Sequence, residues 1–98
     1  MNHKQIKAYA RSFRRGLLGK RTSTNMCYMV TAPLTTLLCM AGVSCKLVEG
    51  WCGAYHHFFI ELEDGHILDP TADQFKDMGL PQIYLGPAKD IYRHMKEP

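Results

Sequence analysis

Residues 56–70 read His56-His57-Phe58-Phe59-Ile60-Glu61-Leu62-Glu63-Asp64-Gly65-His66-Ile67-Leu68-Asp69-Pro70. Phe58, Phe59 and Ile60 favour a strand over His56–Leu62, Asp64-Gly65 supplies a reversal, and a return strand follows over His66–Asp69. Pro70 forces Asp69 to be extended. Side chains alternate between the two faces of a strand, so loop length decides which of these residues meet. A two-residue loop pairs Glu63 with His66 and Ile60 with Asp69, which sends His57 and Asp69 to opposite faces. A three-residue loop, Glu63-Asp64-Gly65, pairs Leu62 with His66 and Phe59 with Asp69. His57 and Asp69 then become diagonal neighbours, with Cβ atoms about 7 Å apart and a side-chain hydrogen bond within reach. Such a loop ends on a left-handed residue, and Gly65 falls there. Cooperation between His57 and Asp69 therefore requires the bulged, three-residue hairpin.

Outward from this hairpin, Cys45 to Glu49 reads as a further strand and Gly50 to Tyr55 as a loop. Near the N-terminus, Ile6, Tyr9, Ala10, Phe13, Leu17 and Leu18 recur at helical spacing among basic residues, which predicts an amphipathic helix over about 3–18. Thr22, Ser23, Thr24 and Asn25 offer N-caps for a second, mostly apolar helix from Met26 to Ala41. Pro33 is expected to kink that helix or shorten its first half. Downstream, a helical turn over 72–78, a short strand over 82–85 and a terminal helix over 87–95, entered through Pro87, complete the chain. Ninety-eight residues, 46% of them hydrophobic, suit one domain.

The net charge of +3 is concentrated in Lys4, Lys7, Arg11, Arg14, Arg15, Lys20 and Arg21. A basic helical face of this kind can attract an anionic partner. No recognisable nucleic-acid-binding motif accompanies it. Thr22 to Ser44 carries no charged residue, but Pro33, Gly42 and several Ser, Thr and Asn side chains make it a buried helix rather than a membrane span. Residues 1–15 contain no apolar core of a secretory leader, so reduced thiols and a cytoplasmic location are expected.

A cysteine acts as a nucleophile only as the thiolate, and a helix N-terminus favours that form through unpaired N–H groups and aligned peptide dipoles. Cys27 occupies such a place. Cys39, near the far end of the same helix, and Cys45, in a strand, read as small buried apolar residues. Cys52, in the loop beside Trp51, is the second candidate nucleophile. His57 is the candidate base and Asp69 the group that fixes its tautomer. His56 points to the opposite face of its strand and loses Asp69. Tyr28, Trp51, Tyr55 and Phe59 are candidates to line a substrate cleft, and Trp51, Tyr55 and Phe59 alternatively to shield the His57–Asp69 contact. A metal site from Cys52, His56, His57 and His66 matches no established zinc spacing, so no metal or other cofactor is expected.

The order Cys27-Tyr28, His57-Phe58-Phe59 and Asp69-Pro70-Thr71 resembles the transglutaminase-like core of the papain-like cysteine proteinase superfamily, over roughly residues 22–75. Leu37-Leu38, Gly42-Val43 and Val48-Glu49-Gly50 fall within the same stretch. The run from Asp69 to Phe75 and Tyr84-Leu85-Gly86-Pro87 are similar to small bacterial and phage proteins of this type. The resemblance implies an α+β fold, a minimal papain/transglutaminase-like core in which the nucleophile helix packs on a small antiparallel sheet. Residues 1–20 would then be a basic helix, 22–75 the Cys-His-Asp core and 76–98 a C-terminal extension.

The same resemblance implies a cysteine hydrolase or acyl transferase working through a Cys27 thioester, as protease, amidase, deamidase or transglutaminase, on a protein, peptide or small amide or acyl substrate. Cys27, His57 and Asp69 would form its catalytic triad. The Cys27 backbone N–H is one oxyanion donor and Asn25 a candidate for another; no equivalent of the oxyanion glutamine of papain-like enzymes is identified. The alternative is a non-catalytic binding or inhibitor protein on the same scaffold, using the basic N-terminal helix.

Overall fold

A computed structural model describes residues 1–21 and 26–96. Its first helix, α1 (His3–Leu18), opens on a capping box in which Asn2 and Gln5 exchange side-chain and backbone hydrogen bonds, each of 2.8 Å. Ile6, Ala10, Arg14 and Leu18 are buried at intervals of one helical turn. Leu17, expected on this apolar stripe, is 38% exposed, and a charged residue, Arg14, is buried in the stripe instead. Arg14 tolerates burial because it is fully engaged. Its Nη1 donates to the Pro70 carbonyl at 2.8 Å, and the guanidinium grips the Asp73 carboxylate through two bonds of 2.8 and 3.0 Å. Two-pronged geometry of this kind is what makes an arginine–carboxylate pair strong enough to offset desolvation.

The second helix, α2 (Cys27–Met40), begins after Met26, which provides no side-chain cap. The N-caps expected from Thr22 to Asn25 lie outside the described residues. The helix runs through Pro33 as one element rather than stopping short.

Four strands follow: β1 (Cys45–Cys52), β2 (Tyr55–Leu62), β3 (Ile67–Asp69) and β4 (Tyr84–Gly86). They form one antiparallel sheet in sequence order. The first strand continues to Cys52, so Gly50, Trp51 and Cys52 pair with His57, His56 and Tyr55 where a loop was expected. The reversal is confined to Gly53-Ala54, and Gly53 supplies the positive φ of 61° that a tight turn demands. Gly50 is in the strand for a packing reason. A Cβ there would lie 2.7 Å from the Met95 carbonyl oxygen, so only glycine lets the last helix, α3 (Asp90–Lys96), rest on β1.

The β2–β3 register is Ile60 with Leu68 and Glu61 with Ile67. Leu62 N–H donates to the His66 carbonyl, Gly65 N–H to the Leu62 carbonyl, both at 2.9 Å, and Gly65 has φ 88°. This is the three-residue loop ending on a left-handed glycine, the alternative that keeps His57 and Asp69 on one face.

Each face of the sheet has its own core. On one side α1 and α2 pack Ile6, Ala10, Leu34 and Leu38 against Ile60, Leu62, Leu68 and Ile83. On the other, α3 and a 3-10 segment, Ala72–Met78, bring Tyr92, Met95 and Phe75 onto Phe59 and Ile67. The architecture is α+β, a four-stranded antiparallel sheet between helices. No helix among the described residues is long and apolar enough to cross a membrane.

Removing the Arg14 side chain deletes the two-pronged bond to Asp73 and the donor to the Pro70 carbonyl. Arg14→Ala is expected to lower the unfolding free energy by roughly 3 kcal/mol, and exposed Arg15→Ala by no more than about 0.5, in urea titrations followed by circular dichroism.

Candidate functional site

His57, Phe59 and Asp69 share the α3 face of the sheet, where both the imidazole and the carboxylate are fully buried. His57 Nε2 lies 2.8 Å from Asp69 Oδ2. The carboxylate is held from other directions too. Tyr92 donates its hydroxyl to Oδ2 at 2.8 Å, and Thr71 donates its backbone N–H to Oδ1 at 3.1 Å and its hydroxyl at 3.3 Å. Burial, then the neighbouring Asp69 charge, pushes the Tyr92 hydroxyl far above its ordinary pKa, so it remains a proton donor. With Nε2 committed to Asp69, Nδ1 is the ring nitrogen turned toward Gln74.

Cys27 comes from the other side of the sheet. It is the first residue of α2, and its Sγ lies 3.9 Å from the His56 carbonyl, against the backbone of β2. Pairing between β2 and β3 is confined to two residue pairs beginning at Ile60, so the Phe58 N–H, beyond that ladder, is available to the sulfur. Half-burial works against the thiolate. It is outweighed by hydrogen bonding to the His57 side chain and its charge, and by the N–H groups of Phe58 and Tyr28, and the thiol is held below its ordinary value. Burial likewise works against the His57 imidazolium, but hydrogen bonds to Asp69 and Cys27, and their charges, raise the ring to about 9. The two shifts reinforce each other, because each group favours the charged form of the other.

Gln74 is the residue that sequence reading left without a role. Its Oε1 sits 3.2 Å from His57 Nδ1, an orientation that requires the proton on Nδ1. The signal was present in the sequence: Gln74 lies in the same Asp69–Phe75 run as the carboxylate. The Ala72–Met78 segment turns it back over the ring, and Phe75 covers the imidazole edge-on at 4.8 Å between centroids.

A cleft of about 400 Å³ opens beside the thiol, lined by Cys27, Cys52, Tyr55, His56, Gln74, Phe75, Asp77 and Met78. Of the four aromatic residues expected there, Tyr55 lines it. Phe59 does not, because β2 alternation turns it into the second core, edge-on to Tyr92 at 5.0 Å. Tyr28 and Trp51 are exposed beside the cleft as the ends of a run of rings. Trp51 stacks on His56 at 4.4 Å, His56 meets Phe58 at 4.6 Å, and Phe58 meets Tyr28 at 4.9 Å. Asn25 lies outside the described residues, so nothing places it near the thiol.

The remaining thiols behave differently from Cys27. Cys39 is exposed, correcting its reading as a buried apolar residue, and its Sγ is 3.7 Å from that of half-buried Cys45. Burial and the Cys39 thiol push Cys45 up to about 12. Cys52 closes β1 rather than standing in a loop, and lines the cleft. Cys52, His56, His57 and His66 do not gather as metal ligands among the described residues; His66 lies instead with His3 and Asp64. No protein-family model, curated protein or solved structure matches this chain.

Alkylation by iodoacetamide, resolved by peptide mapping, is expected to reach half its maximal rate for Cys27 at a lower pH than for Cys45. His57→Asn should move the Cys27 midpoint upward while the folded circular-dichroism spectrum is retained. A common midpoint for the four cysteines would contradict activation of Cys27.

Proposed function

We propose that this protein is a cysteine-dependent hydrolase or acyl transferase that forms a thioester on Cys27, with His57 as acid and base and Asp69 as the group that orients it. The observation that supports the proposal is the buried His57–Asp69 pair at 2.8 Å, beside a helix-start thiol whose pKa is lowered in part by His57. The transglutaminase-like reading of the sequence is part of this proposal.

In the proposed reaction the Cys27 thiolate attacks an amide or acyl carbonyl. The C–S bond forms as the carbonyl electrons move to oxygen. Collapse of the tetrahedral intermediate expels the amine or alcohol, which takes the proton from His57 Nδ1. Water or an amine then attacks the thioester, losing its proton to the same nitrogen and releasing Cys27. Cys27 is the first helical residue, so its backbone N–H has no intrahelical acceptor and serves as one oxyanion donor. Gln74 and Phe75 cover the imidazole, so the leaving group reaches Nδ1 only when the Gln74 amide gives way. Asp69 keeps the Nε2 proton in place throughout and stabilises the cation.

The binding-protein alternative loses Arg14, which is buried in its pairing with Asp73, and rests on exposed Lys4, Arg11, Arg15 and Lys20. The arrangement around Cys27 favours the enzyme.

A panel of peptide amides and acyl esters, with and without a primary amine, tests the proposal, and product masses separate hydrolysis, deamidation and transfer. Turnover is expected to vanish in Cys27→Ala, and to fall on the order of 10²–10⁴-fold in Asp69→Asn with the fold retained. The rate should rise with pH through the lowered Cys27 titration and fall as His57 loses its proton near 9, because the competent pair exists only between them. Turnover that persists in Cys27→Ala, or labelling without any acyl product across the panel, would count against an enzyme.

A further inference from the structure

At the opposite end of the β2–β3 hairpin from His57, two histidines converge on one carboxylate. His3 Nε2 lies 2.7 Å from Asp64 Oδ2, and His66 Nδ1 lies 3.1 Å from Asp64 Oδ1. The two imidazoles stand 4.4 Å apart between centroids, and one nitrogen or oxygen from each of the three residues falls within 4.8 Å of the others. His3 begins α1 while Asp64 is at the hairpin tip, 61 residues later in the chain. We propose that His3, Asp64 and His66 bind a divalent transition-metal ion of the zinc class, clamping the start of α1 to the tip of the β2–β3 hairpin.

The donor set selects the ion. Two imidazole nitrogens and one carboxylate oxygen suit zinc, cobalt, nickel or copper, whereas calcium and magnesium take oxygen ligands. Ligand atoms around a tetrahedral ion with bonds of about 2.0–2.1 Å stand roughly 3.3 Å apart. The present spacings of 2.7 Å to Oδ2 and 3.1 Å to Oδ1 run to different carboxylate oxygens, and one ligand atom from each residue lies within 4.8 Å of the others, so side-chain movements of up to about 1.5 Å bring the three donors to that value. The side chains have room to adjust, being 44%, 48% and 33% exposed for His3, Asp64 and His66.

The carboxylate is prepared for the role. The His66 backbone N–H donates to Asp64 Oδ1 at 2.9 Å and fixes the orientation of the carboxylate between the two rings. Each ring now interacts directly with the carboxylate. An ion replaces those contacts with three metal–ligand bonds, and any proton on the ligating nitrogens is released. Three protein ligands leave the fourth position to water. A neighbouring depression of about 350 Å³, lined in part by His3, Ser44, Glu63 and Asp64, provides the space for it. The site is separate from Cys27 and stands whether or not that residue is catalytic.

Chelator-stripped protein titrated with Zn²⁺ and with Co²⁺ tests the proposal. One equivalent should bind, Tm should rise with zinc, and the cobalt spectrum should lack thiolate charge-transfer absorption. His3→Gln, Asp64→Asn and His66→Gln should each weaken zinc binding tenfold or more and remove the rise in Tm. His94→Gln, at an exposed histidine on α3, should change neither. Absence of binding would overturn the proposal. So would a thiolate band, or undiminished affinity in Asp64→Asn and His3→Gln, which would assign the ion to the Cys39 and Cys45 thiols 3.7 Å apart.

Discussion

The Asp69 carboxylate is the point on which the two faces of the molecule and its separate segments depend. A buried, ionised carboxylate is costly unless every direction around it supplies a donor. Here the donors come from three places: His57 on β2, Thr71 just after β3 and Tyr92 on α3. The next residue, Pro70, offers its carbonyl to Arg14 on α1. One short stretch of chain thus fastens a strand, a turn and two helices that pack on opposite faces of the sheet. The price of such an arrangement is sensitivity, because a hydrogen bond to a buried charge is worth about 1.5–3 kcal/mol and the loss of any donor is felt by the others.

The same carboxylate organises the electrostatics around Cys27. Burial works against the protonated imidazole, yet Asp69 and Cys27 raise its titration to about 9. A cationic ring in turn favours the thiolate, and the Phe58 and Tyr28 N–H groups add fixed dipoles that need no reorganisation. The short β2–β3 ladder is part of the design. Had pairing continued past Ile60 toward His57, the backbone donor at Phe58 would have faced a strand instead of a sulfur.

The hairpin was legible because it reduces to parity and a glycine: a period of two, a loop of three and Gly65 at the left-handed position leave one way for His57 and Asp69 to share a face. The first helix was legible from spacing and the second from its uncharged, apolar run, while the α+β class came from the resemblance of the Cys27, His57 and Asp69 motifs. Arg14 was misread because helical periodicity places a side chain on a face without saying what waits there; its partners, Pro70 and Asp73, are more than fifty residues away. β1 was read too short because Gly50 weakens a strand locally, and its reason for being there, the Met95 backbone, lies 45 residues on. Phe59 was offered to the cleft although the parity that assigns His57 and Asp69 also assigns Phe59 to their face, where α3 covers it. Tyr92 and Gln74 escaped notice for a different cause. Tyr92 carries no local pattern, Gln74 has only its place in the Asp69–Phe75 run, and each acquires its meaning from the group it touches.

Gly50 has a reach that its lack of chemistry conceals. It bears against Met95, on the helix that delivers Tyr92 to Asp69 one turn earlier, so the spacing between β1 and α3 is set by the absence of a single carbon. Even a methyl group there would act as a wedge under the helix. The disturbance would travel along a rigid lever to the deepest charge in the fold, which makes an inert strand position a remote adjustment of the buried polar network.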